Sequence, residues 1–197
     1  MPVIFTKDTH EDNYLTTQEG KNLPIPHCII GTPGHSICAL LRRELREQHK
    51  IDISDSTGHP YLVVTKHTFG SGTLAHEVKT LLHAGHRDIL VVVDMQNDFT
   101  TGSLGSDAAQ AIIPYVAKET AKYFEVGDAN KHRPDIAPHV KLIGVATDIC
   151  VITNALLIKT ICPEVEIIVD SKGCAGITPE THQAALDVMR MCQITVE

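Results

Sequence analysis

The 197 residues suit one domain spanning 1–197, since domains commonly run to roughly 100–200 residues. Seventeen Lys and Arg against 24 Asp and Glu leave a formal charge of −7, which argues against the basic face that nucleic acids or anionic lipid attract. Hydrophobic residues at 43% with charged residues at 21% describe a folded chain rather than a disordered one.

No apolar run approaches the roughly 18–20 residues that span a bilayer. The opening Met-Pro-Val-Ile-Phe-Thr-Lys-Asp lacks the basic and long apolar regions of a signal peptide. The reading is a cytoplasmic protein. Its six cysteines, none in a C-x-x-C pair, are then mostly small buried hydrophobes rather than disulfides.

In chain order, β-branched runs predict strands at Val3–Thr6, Tyr61–Thr65, Ile89–Val93, Lys141–Ala146, Glu166–Val169 and Gln193–Val196. Ile89–Val93 is continuously apolar, as in strands covered on both faces of a parallel sheet. Helical patterns lie between, near His35–His49, Thr73–Ala84, Ser106–Phe124, Cys150–Thr160 and Pro179–Met191, the last opened by Thr178 as its cap. Gly127–His139 reads as a polar loop. Alternation of this kind means α/β, with a three-layer, doubly wound parallel sheet.

Polar residues gather just after the strands: Asp8 and His10 after the first, Lys66 after the second, Asp94 after the third, and Thr147, Asp148 and Cys150 after the fourth. The carboxyl ends of parallel strands share one edge, where ligands bind. Each residue alone would read as a cap or a solvated loop charge; four strands ending this way suggest a site. Cys150 should sit where a strand turns into a helix, its thiolate favoured by the helix dipole and by Lys66. Asp94 can take the thiol proton and return it to a leaving amine. An exposed thiol at that rim would contribute little to packing.

Asp8-Thr9-His10 puts two metal-ligand types on one side of an extended segment. His27 and Glu19 follow in the same long loop. Two imidazoles with one or two carboxylates suit a divalent ion: Zn²⁺, Fe²⁺ and Mn²⁺ all fit. The remaining histidines, His59 among them, show no ligand spacing and read as surface or satisfied groups.

The segments Ile89-Leu-Val-Val-Val-Asp-Met-Gln-Asn-Asp-Phe99, Thr6-Lys-Asp-Thr-His10, Pro26-His-Cys-Ile-Ile-Gly-Thr32, Lys66 and Gly144-Val-Ala-Thr-Asp-Ile-Cys150 resemble the nicotinamidase branch of the isochorismatase-like cysteine hydrolases. That resemblance implies a catalytic triad of Asp94, Lys66 and Cys150, and a metal (zinc foremost) on Asp8, His10, His27 and, as in some members, Glu19. It implies a cis Val145–Ala146 peptide and an oxyanion hole from the Ala146 and Cys150 N–H groups. Phe99 and Val145 would line the substrate pocket. The implied reaction turns nicotinamide and water into nicotinate and ammonia through a thioester, a step of NAD salvage, in a protein that is often a homo-oligomer.

One departure from the family is large. There the Asp-Met-Gln strand opens the chain; here it comes third, after the lysine strand. An internal block has moved, which a simple circular permutation would not do. If the spatial sheet is kept, its order becomes 2-1-3-4-5-6 in this chain's own numbering, a flavodoxin-like connectivity. Such a chain would be rewired, by nature or by engineering. The competing expectations are an amidase for another small amide, a weak or inactive scaffold, and a flavodoxin-like mononucleotide binder.

Overall fold

The computed structural model describes residues 3–53 and 61–197. His59 lies outside these. Six parallel strands form one sheet in the order β2-β1-β3-β4-β5-β6, as the sequence predicts: β1 Val3–Asp8, β2 Leu62–Lys66, β3 Asp88–Val93, β4 His139–Val145, β5 Glu166–Ala175 and β6 Thr195–Val196. The helices, in chain order, are α1 Gln18–Asn22, α2 Ala39–His49, α3 Gly72–His83, α4 Asn97–Thr100, α5 Asp107–Ala111, α6 Ile113–Val126, α7 Ile152–Ile161 and α8 Pro179–Met191.

Both faces of the sheet are covered. Val3, Phe5, Leu90 and Val92 point into a core with Leu41 and Leu45 of α2 and Val116 and Ala117 of α6. Ile4, Ile89, Val91 and Val93 point the other way, against α3, α7 and α8. Alternating residues thus serve two cores, which is why these strands read as unbroken apolar runs.

The structure corrects several boundaries. The element expected over Ser106–Phe124 divides at Ile112, because Pro114 has no N–H to continue the ladder of α5. The helix expected over His35–His49 starts at Ala39, after a short 3₁₀ turn over Pro33–His35; the Cys38 N–H bonds to Met95 O instead. Strand β5 runs on to Ala175, beyond the end expected at Val169, after a shift of register between Leu142 and Gly144.

Gly144 explains how β4 comes so near β3 at that point. Its φ is +126°, and a Cβ there would lie 2.1 Å from Val93 O. Only glycine fits this approach. It brings the end of β4 beside the end of β3, where the candidate site begins.

Candidate active site

Asp8 and Lys66 are the last residues of β1 and β2 and stand opposite each other in register. Asp94 follows β3 immediately, with φ +49°, a left-handed conformation uncommon for a non-glycine residue. Cys150 follows β4, inside a π-helical turn over Thr147–Val151 rather than at the start of the helix, which opens only at Ile152. The Val145–Ala146 peptide ahead of it is cis.

Lys66 is the hub of this group. Its Nζ lies 2.7 Å from Asp94 Oδ2, 3.2 Å from Asp8 Oδ1 and 3.6 Å from Cys150 Sγ. Burial disfavours the ammonium, but Asp94, Cys150 and Asp8 together outweigh it and raise the lysine above its usual range. The charge is therefore permanent at working pH.

Thr6 adds a bracket that sequence reading overlooks. Its hydroxyl donates to Asp94 Oδ1 at 2.6 Å and accepts from the Asp94 N–H at 3.1 Å, fixing the carboxylate with Oδ2 toward Lys66. Its place two residues before Asp8, on the same side of β1, was the available signal.

Two expectations about Cys150 are corrected. The thiol is not an exposed rim group but only 6% exposed, packed with Val151 and Ala155. Nor does its setting lower the thiol: burial, and then the Asp94 carboxylate beside it, push it well above the usual thiol range despite Lys66. Burial raises Asp94 too, against the pull of Lys66. With Asp8 and Asp94 already facing one lysine, a third anion would be poorly compensated. The thiol stands next to a carboxylate able to take its proton.

Asp8, His10, Glu19 and His27 converge as the sequence suggests, each offering one ligand atom within 4.8 Å of the others. His10 Nε2 lies 2.9 Å from Asp8 Oδ2 and 3.7 Å from Glu19 Oε1. His27 Nε2 lies 3.6 Å and 3.7 Å from the same two atoms. Burial works against ionised Asp8, yet the His10 and His27 rings and Lys66 hold its carboxyl far below the ordinary range.

These residues fit a divalent metal. The buried His10 Nε2 makes no hydrogen bond, although it lies 2.9 Å from Asp8 Oδ2. The other nitrogen of His27, Nδ1, lies 2.8 Å from Ile25 O. Donation there fixes the tautomer and leaves the Nε2 lone pair facing the cluster, as metal-binding imidazoles require.

Both groups open on one cavity of about 540 Å³, lined by Asp8, His27, Cys150, Val145, Phe99 and Phe69 among others. Its walls are mainly apolar, with Asp8, Glu19 and His27 among the polar residues that line it. The Phe99 ring sits 5.5 Å from that of His27. Among the other described histidines, His182 Nδ1 lies 2.8 Å from Thr147 Oγ1, and His67 Nδ1 lies 2.9 Å from Thr9 O. Five cysteines are buried, Cys192 is exposed, and all six are free.

The six-stranded, all-parallel sheet with helices on both faces matches the isochorismatase-like fold. The isochorismatase domain family matches residues 131–197. Among solved structures, nicotinamidase PncA from Bacillus subtilis aligns at 20% identity over 98% of this chain and 72% of its own, with a TM-score of 0.50. Pyrazinamidase/nicotinamidase from Streptococcus mutans UA159 aligns at 18% identity over 98% and 74%, also at 0.50. No curated protein matches the sequence. No helix among the described residues is long and apolar enough to cross a membrane.

Proposed function

We propose that the chain is a cysteine amidohydrolase with nicotinamide as its substrate. The observation that carries this reading is the contact of one buried lysine with Asp94, Cys150 and Asp8, beside a mainly apolar cavity with room for a small ring. The likeness of fold to nicotinamidase structures supports it.

Asp94 takes the Cys150 proton as the sulfur attacks the amide carbon. The oxyanion that forms is received by the Ala146 and Cys150 N–H groups. Collapse of this adduct returns the proton to nitrogen and releases ammonia, leaving a thioester on Cys150. Asp94 then takes a proton from water, which attacks the thioester; nicotinate leaves and the thiol is restored. Lys66 keeps Asp94 aligned and offsets charge throughout. Phe99 and Val145 hold the ring. Asp8, His10, Glu19 and His27 would hold a divalent metal, zinc foremost, which supplies a Lewis-acid anchor for the ring nitrogen.

A related amidase on another small amide shares every step except the last contact with the ring. The rearranged order of segments leaves this site assembled, so we read the chain as a rewired relative of the nicotinamidases that keeps their spatial sheet.

Ammonia release from nicotinamide tests the proposal. Turnover is expected in the parent, lost on chelation and restored by Zn²⁺, Fe²⁺ or Mn²⁺. Cys150→Ala should lower it by about 10⁴-fold or more. Full turnover in Cys150→Ala would contradict the assignment.

A further inference from the structure

The polar residues between Asp94 and Phe99 have no role in the chemistry above, yet they are built into the molecule with care. Gln96 is fully buried. Its Oε1 accepts from the Asp8 N–H at 2.7 Å, while Nε2 donates to Asp8 O at 2.9 Å and to His35 O at 2.9 Å. One amide thus holds the peptide groups on both sides of the Asp8 Cα. The orientation is forced, because an N–H must meet the oxygen and a C=O must meet the nitrogen.

Asp98 acts on the second loop. Its Oδ2 accepts from the Cys28 N–H at 2.7 Å, one residue after His27. Cys28 has φ +47°, a strained value for its residue type that needs outside support. The Cys28 carbonyl accepts from the His10 N–H at 3.0 Å, and the His10 carbonyl accepts from the Ile30 N–H at 2.9 Å. Asp98 therefore fixes the register in which His10 and His27 meet. Gly34 leaves room for that carboxylate: a Cβ there would lie 2.0 Å from Asp98 Oδ2.

We propose that Gln96 and Asp98 are positioning residues for metal binding, holding the backbone of the loops that carry Asp8, His10 and His27, an assignment that rests on reading the Asp8, His10, Glu19 and His27 cluster as a metal site. Neither touches the ion. Each acts through main-chain groups whose ligand side chains cannot then drift apart. Partners that orient metal ligands commonly change affinity 10- to 100-fold when removed.

The test is Zn²⁺ affinity, measured on the full chain by competition with a chromogenic chelator, with folding followed by near-ultraviolet circular dichroism. The parent should bind one equivalent. Gln96→Met matches the side chain's length but forms none of its three hydrogen bonds, and should weaken Zn²⁺ by about 10-fold or more. Asp98→Ala should do the same, whereas Asp98→Asn, which keeps an acceptor for Cys28, should retain most of the affinity. That rescue separates positioning from a general loss of structure.

Folded variants that bind as the parent does would overturn the positioning role alone. If Gln96→Met fails to fold, the Asp98 pair decides, and equal affinities for Asp98→Ala and the parent overturn the proposal. A parent that binds no Zn²⁺ would overturn the metal reading and this assignment with it.

Discussion

At the carboxyl end of the sheet, Asp8, Lys66 and Asp94 are almost wholly enclosed, and two carboxylates share a single ammonium. At the amino end, Asp88 and His139 also stand opposite each other on neighbouring strands, with Asp88 Oδ1 and His139 Nε2 2.9 Å apart. Their side chains remain 21% and 28% exposed. The second pair is partly solvated: Asp88 Oδ1 itself is buried, but both side chains reach water, so less depends on the partner. The first group has no such recourse, since every charge in it is stabilised chiefly by its neighbours. A chain keeps an arrangement this costly where the charges do chemistry, and local rules are usually broken at functional sites.

That contrast can be broken first at Lys66. Lys66→Met leaves Asp8 and Asp94 facing each other without a cation, and should cost about 3–5 kcal/mol in denaturant unfolding. Loss within about 1 kcal/mol would place the carboxyl-edge group in the same class as a surface pair.

The amino-edge pair should yield a far smaller effect with a definite sign. Hydrogen bonding to Asp88 raises His139 above 6.5, so its contribution is complete below that value and is lost as pH rises through the folded pKa. Burial works to raise Asp88, but His139, with the Tyr123 hydroxyl and the Lys141 charge, outweighs it and lowers Asp88 below 3.8. The Asp88 contribution is present above that value and is lost as pH falls through its folded pKa. The pair therefore stabilises most between these limits. Asp88→Asn should lower stability by about 1 kcal/mol or less near pH 5, and by less near pH 8. Thermal melts at the two pH values check this; an equal loss at both would contradict it.

Much of this contrast was legible in the sequence. Apolar runs ending in Asp8, Lys66 and Asp94 announce parallel strands with a polar carboxyl edge, while the order 2-1-3-4-5-6 came from the family resemblance, with its spatial sheet kept. What escaped depends on distant contacts. Thr6 and Asp94 are 88 residues apart, as are Asp8 and Gln96, and no local period reveals such bonds. The short α1 has too few turns to show a helical period. β5 continues through the polar Asp170-Ser171-Lys172 because its far end pairs with Gly144 and Val145 beyond a register shift. Cys150 looked exposed from its place after a strand, whereas the cavity wall and α7 enclose it.

The central claim is that Cys150 carries the acyl group between the two halves of the reaction. Acid quenching during turnover of nicotinamide, followed by mass spectrometry of proteolysed protein, addresses it directly. A nicotinoyl thioester should appear on the peptide containing Cys150, and on none containing Cys28, Cys38, Cys162, Cys174 or Cys192. Acylation of a different cysteine, with Cys150 unmodified while ammonia is released, would contradict the account.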